Sequence, residues 1–80
     1  MLTPQQLHTY ITDGLACTYL QVTGDGQHFE AIIVSALFAD KTPIQRHQLV
    51  YQALGERMRA EIHALSMKTY TPEDWALVHG

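Results

Sequence analysis

Five histidines and one cysteine are the residues of this 80-residue chain with the strongest appetite for a metal. They are His8, His28, His47, His63 and His79, with Cys17 beside them. Neutral imidazole is a common metal ligand and titrates near neutrality. Taken as composition, the set allows a self-contained metal site. A single cysteine excludes any internal disulfide. No P-loop, GxGxxG, HExxH, GxSxG or CxxC pattern occurs, and no nucleophile arrangement is visible, so enzyme chemistry is unsupported. What the six side chains can do depends on the elements that carry them.

Those elements announce their starts. All three prolines follow threonine, at Thr3-Pro4, Thr42-Pro43 and Thr71-Pro72. Threonine caps free N–H groups, and proline suits the first helical position, where its missing N–H is not needed. Gln6 and Gln45 stand three residues after their threonines and complete capping boxes, with Asp74 a shorter approximation. Leu2 with Leu7, and Tyr70 with Trp75, occupy hydrophobic-staple positions. The first helix is predicted over about Pro4 to Asp13, burying Leu7, Tyr10 and Ile11, with Gly14 as its stop. Ala16–Thr23 and His28–Ala36 read as a β-hairpin around Gly24-Asp25-Gly26-Gln27. A long helix, about Pro43 to Glu61, carries an apolar stripe of Ile44, Val50, Tyr51, Leu54 and Met58. His63–Tyr70 alternates as a third strand, and Thr71 opens a last short helix holding Trp75.

The order α-β-β-α-β-α predicts a single α+β domain over residues 1–80. Its three-stranded mixed sheet has helices packed on one face, with a right-handed crossover through the long helix. The apolar fraction is 46%, enough for a thin core, and domains this small often lean on a partner. No stretch approaches the ~20 apolar residues of a membrane span, so no membrane role is expected. The N-terminus lacks the basic and apolar regions of a secretory signal, and with one cysteine this points to a reducing cytoplasm.

Placed on these elements, the candidate ligands separate. His63 stands where the long helix hands over to the third strand. It either satisfies backbone groups at that boundary or, presented from a rigid position, ligates a metal. His28 follows a glycine-rich turn and is either an exposed hairpin side chain or a second ligand. Asp25 reads as a turn residue. His47 falls on the apolar stripe and reads as packing, His8 lies on an exposed turn, and His79 sits in a frayed tail. Cys17, early in the first strand, reads as a buried thiol. The aromatics look like scattered core or rim residues rather than a base-stacking platform.

The chain resembles the BolA-like family, in its small acid-stress-associated branch. The resemblance rests on Thr23-Gly24-Asp25-Gly26-Gln27-His28-Phe29 and Arg46-His47-Gln48-Leu49-Val50-Tyr51, and further on Ile62-His63-Ala64-Leu65-Ser66-Met67-Lys68-Thr69-Tyr70-Thr71-Pro72-Glu73-Asp74-Trp75. It covers almost the whole length. One departure stands out. The family usually has Phe-x-Gly before its Arg-His motif, and here the run is Phe38-Ala39-Asp40, so a differently built turn is expected. The resemblance implies a fold similar to the type II KH module and partnership with a monothiol glutaredoxin. It implies a shared [2Fe–2S] cluster, with thiolates from the partner and glutathione and an imidazole from His63. A second ligand comes from the hairpin loop, where His28 is the ligand-type imidazole. Arg46 could pair with a partner carboxylate or glutathione.

Two imidazoles cannot hold such a cluster alone, since four ligands are the norm. The chain would therefore supply half of a site, as a non-enzymatic adaptor in iron–sulfur trafficking, iron homeostasis and stress response. Protonating the imidazoles in mild acid would weaken ligation. The alternative is a KH-like nucleic-acid-binding transcriptional regulator, with weak DNA binding through a small patch drawn from Lys41, Arg46, Arg57, Arg59 and Lys68. The net charge of −3 argues against affinity that comes mainly from phosphate contacts. Alone, the chain is expected to be a monomer or a weak homodimer.

Overall fold

The computed structural model describes residues 1–62 and 64–79, so His63 and Gly80 lie outside the described residues. Both capping boxes form. Thr3 Oγ1 accepts from Gln6 N–H at 3.1 Å, and Gln6 Oε1 accepts from Thr3 N–H at 2.9 Å, opening α1 (Pro4–Gly14). The same pair of bonds, 3.2 and 2.9 Å long, joins Thr42 and Gln45 at the start of α2 (Pro43–Leu54). Thr71 caps α4 (Pro72–His79) by accepting from Asp74 N–H at 3.1 Å. Between them run β1 (Tyr19–Gly24), β2 (His28–Val34), a 3-10 turn over Ala36–Phe38, α3 (Arg57–Ala60) and β3 (Ala64–Tyr70).

The sheet order is β1-β2-β3, antiparallel between β1 and β2 and parallel between β2 and β3. The mixed α+β architecture expected from the element order is therefore present. One face of β2 (Phe29, Ala31, Ile33) joins Leu7 and Ile11 of α1, Val50 and Leu54 of α2, and Phe38 in the core. Both members of the first staple, Leu2 and Leu7, are in it. α4 takes a different station. Val34, Tyr19 and Tyr70 share register on the opposite face, and Trp75 packs on the two tyrosines there. Among the described residues, no helix is long and apolar enough to cross a membrane.

The long second helix ends earlier than its sequence pattern suggested. Gly55 takes φ 57° and ψ −133°, closing α2 at Leu54, and the chain resumes as the short α3. Two residues assigned to the apolar stripe are not buried, Ile44 being 71% and Tyr51 40% exposed. The helical period explains this. At about 100° per residue, Ile44 and Tyr51 stand over one another, roughly a quarter-turn away from Val50 and Leu54. The strands are also shorter than expected. β1 begins at Tyr19 and β2 ends at Val34, because Ser35 turns the chain into the 3-10 segment. Buried Ser35 Oγ donates to Ala16 C=O at 2.7 Å and accepts from Leu37 N–H at 3.1 Å, so its polar group is satisfied.

α3 is tied to α1 through Tyr10. The Arg57 guanidinium lies 4.0 Å from the centre of the Tyr10 ring, and the phenol donates to Glu61 at 3.4 Å. At the Phe38-Ala39-Asp40 turn, Asp40 takes φ 62°. Asp is one of the few non-glycine residues that adopts the left-handed region with modest strain, so the backbone there does not require glycine.

Candidate functional site

The hairpin that presents His28 is built by its own loop. Asp25 Oδ1 accepts from Gln27 N–H at 3.0 Å and from His28 N–H at 2.9 Å. A main-chain bond from Asp25 N–H to His28 C=O, 3.2 Å long, closes the turn. The N–H of His28, and then that of Gln27, hold the Asp25 carboxyl below its ordinary range, because a carboxylate is the better acceptor. Gly26 adopts φ 98°, and a Cβ there would run into the Met1 side chain. Only glycine takes that conformation freely. The main chain at the start of β2 is thus fixed on both sides of the turn.

The His28 side chain is exposed while its backbone is held. Its Nε2 lies 3.1 Å from Ser66 Oγ on the neighbouring strand. The parallel register makes this contact: His28 pairs with Ala64, and Ser66, two residues further along, faces the same side. Ser66 was not among the residues singled out in the sequence. Its relation to His28 depends on a pairing of strands 38 positions apart, and no local pattern encodes it.

His63 lies outside the described residues. The residues that flank it are described: Ile62 is buried in the core, and Ala64 begins β3 opposite His28. Lys68 is exposed on the same face as His28, opposite Ile32. There Gln21, Thr23, Glu30, Ile32, Ser66 and Lys68 border a shallow depression of about 280 Å³. Arg46 is elsewhere. Half-buried on α2, it donates from Nε to Lys41 C=O at 3.1 Å and from Nη1 to Thr69 C=O at 3.2 Å, with Phe38 beneath its guanidinium. Those bonds occupy it at the far end of β3, some ~20 Å along the sheet from the hairpin.

The other candidates separate as follows. His8 is exposed on α1 and His47 half-buried on α2. His79 is not frayed: it ends α4 with its ring stacked on Trp75 at 4.6 Å and 10°. Tyr19 also stacks on Trp75, at 5.1 Å and 19°, and Tyr70 meets it at 5.2 Å and 54°. Tyr19, Tyr70 and His79 thus gather around Trp75, while Phe29 and Phe38 lie in the core and Tyr10 against Arg57, so the aromatics remain divided between core and rim. The His79–Trp75 contact was legible as an i, i+4 spacing on a helix. Cys17 is half-buried, and burial pushes its thiol up, away from the thiolate form a metal needs. Its Sγ–H donates to Leu15 C=O at 3.4 Å.

Among the described residues, no three His, Cys, Asp or Glu side chains gather to hold a metal ion. The hairpin end offers an exposed imidazole on a fixed backbone, and the described residues add no thiolate to it.

The acid stress protein IbaG of Escherichia coli K12 is 36% identical over 72 residues, covering 89% of this chain and 86% of that protein. The DNA-binding transcriptional regulator BolA of Haemophilus influenzae is 46% identical over 52 residues, or 65% of this chain. That match spans 50% of the Haemophilus protein's length. Neither name denotes an enzyme. A solved bolA protein homologue from Coxiella burnetii superposes with a TM-score of 0.84 at 42% identity, covering 95% of this chain and 99% of that one. The family model described as BolA-like protein matches residues 4–74, and the chain belongs to the BolA-like family.

Proposed function

We propose that the chain is a non-enzymatic adaptor that pairs with a monothiol glutaredoxin and shares a glutathione-ligated [2Fe–2S] cluster with it. His63 and His28 would be its ligands, and its setting the reducing cytoplasm. The observation that carries this reading is the exposed His28 imidazole at the start of β2, on a backbone held by Asp25. The donor set fits half of a cluster site. His28 is exposed on an anchored backbone, while Cys17 is half-buried, and burial pushes its thiol up. The cluster would supply a transferable iron–sulfur unit whose potential rises when imidazole replaces thiolate. This chain's part is to hold imidazoles in place and leave thiolate ligation to the partner. Asp25 and Gly26 fix the hairpin backbone, so little ordering remains to be done when the partner arrives.

A second reading, a nucleic-acid-binding transcriptional regulator, has the name of the Haemophilus relative in its favour. Weighing against it are the net charge of −3 and the guanidinium of Arg46, already bonded to main-chain carbonyls. Affinity for DNA that falls steeply with salt and depends on sequence would favour this second reading.

The test of the adaptor is co-expression with a monothiol glutaredoxin and glutathione, followed by visible absorption and circular dichroism. A spectrum differing from that of the glutaredoxin alone is expected, and one identical to it refutes the shared cluster. His63→Ala and His28→Ala should each alter that spectrum. If either leaves it intact, that residue is not a ligand.

A further inference from the structure

The His28 ring has a partner that nothing in its own segment of sequence anticipates. Ser66 Oγ lies 3.1 Å from Nε2, held there by the register of β2 with β3. Ser66 is exposed, so the contact sits on the surface of the sheet and not in the core. A neutral imidazole carries its proton on one nitrogen and a lone pair on the other, and only the bare nitrogen can bind a metal. A serine hydroxyl can accept from Nε2–H or donate to a bare Nε2. The first arrangement leaves Nδ1 free, whereas the second occupies the lone pair and leaves Nδ1 protonated. Metal-ligating histidines nearly always donate their second N–H to a fixed acceptor, which sets tautomer and ring orientation together.

We propose that Ser66 is a positioning residue for His28, accepting Nε2–H and so holding the tautomer in which Nδ1 is presented for ligation. This deepens the adaptor reading and rests on His28 as a ligand. The backbone and the ring are then fixed separately. Asp25 holds the N–H of His28, and Ser66 holds the side chain from the adjacent strand.

The test begins on the free chain, with ¹⁵N-labelled histidine and long-range ¹⁵N–¹H spectra in mildly alkaline buffer, where imidazole is neutral. In the unsubstituted chain His28 is expected to be almost wholly the Nε2–H form. Ser66→Ala should raise the Nδ1–H share by roughly five-fold, the effect of losing one net hydrogen bond of ordinary strength. Ser66→Thr, which keeps the hydroxyl, should restore the original ratio. A dominant Nδ1–H form in the unsubstituted chain, or a ratio that Ser66→Ala leaves unmoved, overturns the proposal.

A second arm uses the mixture with monothiol glutaredoxin and glutathione. Ser66→Ala should shift the visible circular dichroism in the direction of His28→Ala, and Ser66→Thr should not. If the unsubstituted chain leaves the glutaredoxin spectrum unchanged, the adaptor reading fails, and the tautomer measurement still decides what Ser66 does. If the cluster forms and Ser66→Ala matches the unsubstituted chain in both arms, the positioning role alone is lost.

Discussion

The two ends of the sheet treat their functional groups in opposite ways. At the far end, Trp75 is stacked with Tyr19 and His79 and touches Tyr70, and the Arg46 guanidinium is bonded to Lys41 and Thr69 carbonyls. Rings and charge there are occupied by the protein itself. At the hairpin end the backbone is held through Asp25 and Gly26, and the His28 imidazole is exposed, touching Ser66 through Nε2. A side chain consumed by its own fold holds elements together. An exposed ring held at one nitrogen on a fixed backbone is equipped to meet another molecule with the other. The two histidines at these ends, His79 and His28, differ for that reason in spite of sharing a residue type.

Single substitutions can break each end separately. Trp75→Ala should have the largest effect, costing about 2 kcal/mol for the lost aromatic contacts and area. Amide exchange in α4 should speed up while the His28 and Ser66 resonances stay in place; movement of the latter would show that the ends are coupled. Gly26→Ala comes next, at about 1–2 kcal/mol by urea denaturation, because an L residue must adopt positive φ there. Its contact with Met1 adds little, since the Met1 side chain is flexible and can shift. Asp40→Gly should act in the opposite direction, raising stability by no more than ~1 kcal/mol, as glycine relieves the left-handed strain but loses entropy on folding.

The smallest effect expected is at Asp25. Its folded-state pKa is depressed by backbone N–H groups, so its contribution is complete above the ordinary value of 3.8 and is lost as pH falls through the lower folded value. Denaturation of the unsubstituted chain and Asp25→Asn across that acid window should show the stability gap between them narrowing as pH falls. A gap that stays constant with pH would mean that the turn does not depend on the charged carboxylate.

Much of the architecture could be read from local chemistry. The Thr-Pro starts and the Gln residues three positions later specify α1 and α2 through contacts confined to four residues, and both boxes form as read. Helix length was less legible. An apolar pattern running past residue 54 outweighed Gly55, whose positive φ ends α2. The stripe also absorbed Ile44 and Tyr51, which follow each other around the helix but not Val50. At the site, His28 and its turn residue Asp25 were identifiable because the loop is self-contained. Ser66 and the occupation of Arg46 were not, because both depend on strand β3 meeting elements 23 or more positions away. The Asp40 turn illustrates a third case, where the residue type differs from the family pattern and the backbone accommodates it at φ 62°.

The contrast between the two ends is tested most directly by one spectrum recorded twice. Visible circular dichroism of the mixture with a monothiol glutaredoxin and glutathione should change on His28→Ala and remain as for the unsubstituted chain on Trp75→Ala. The reverse outcome, a spectrum indifferent to His28 and sensitive to Trp75, would place the working surface at the aromatic end and contradict the assignment of the site to the hairpin.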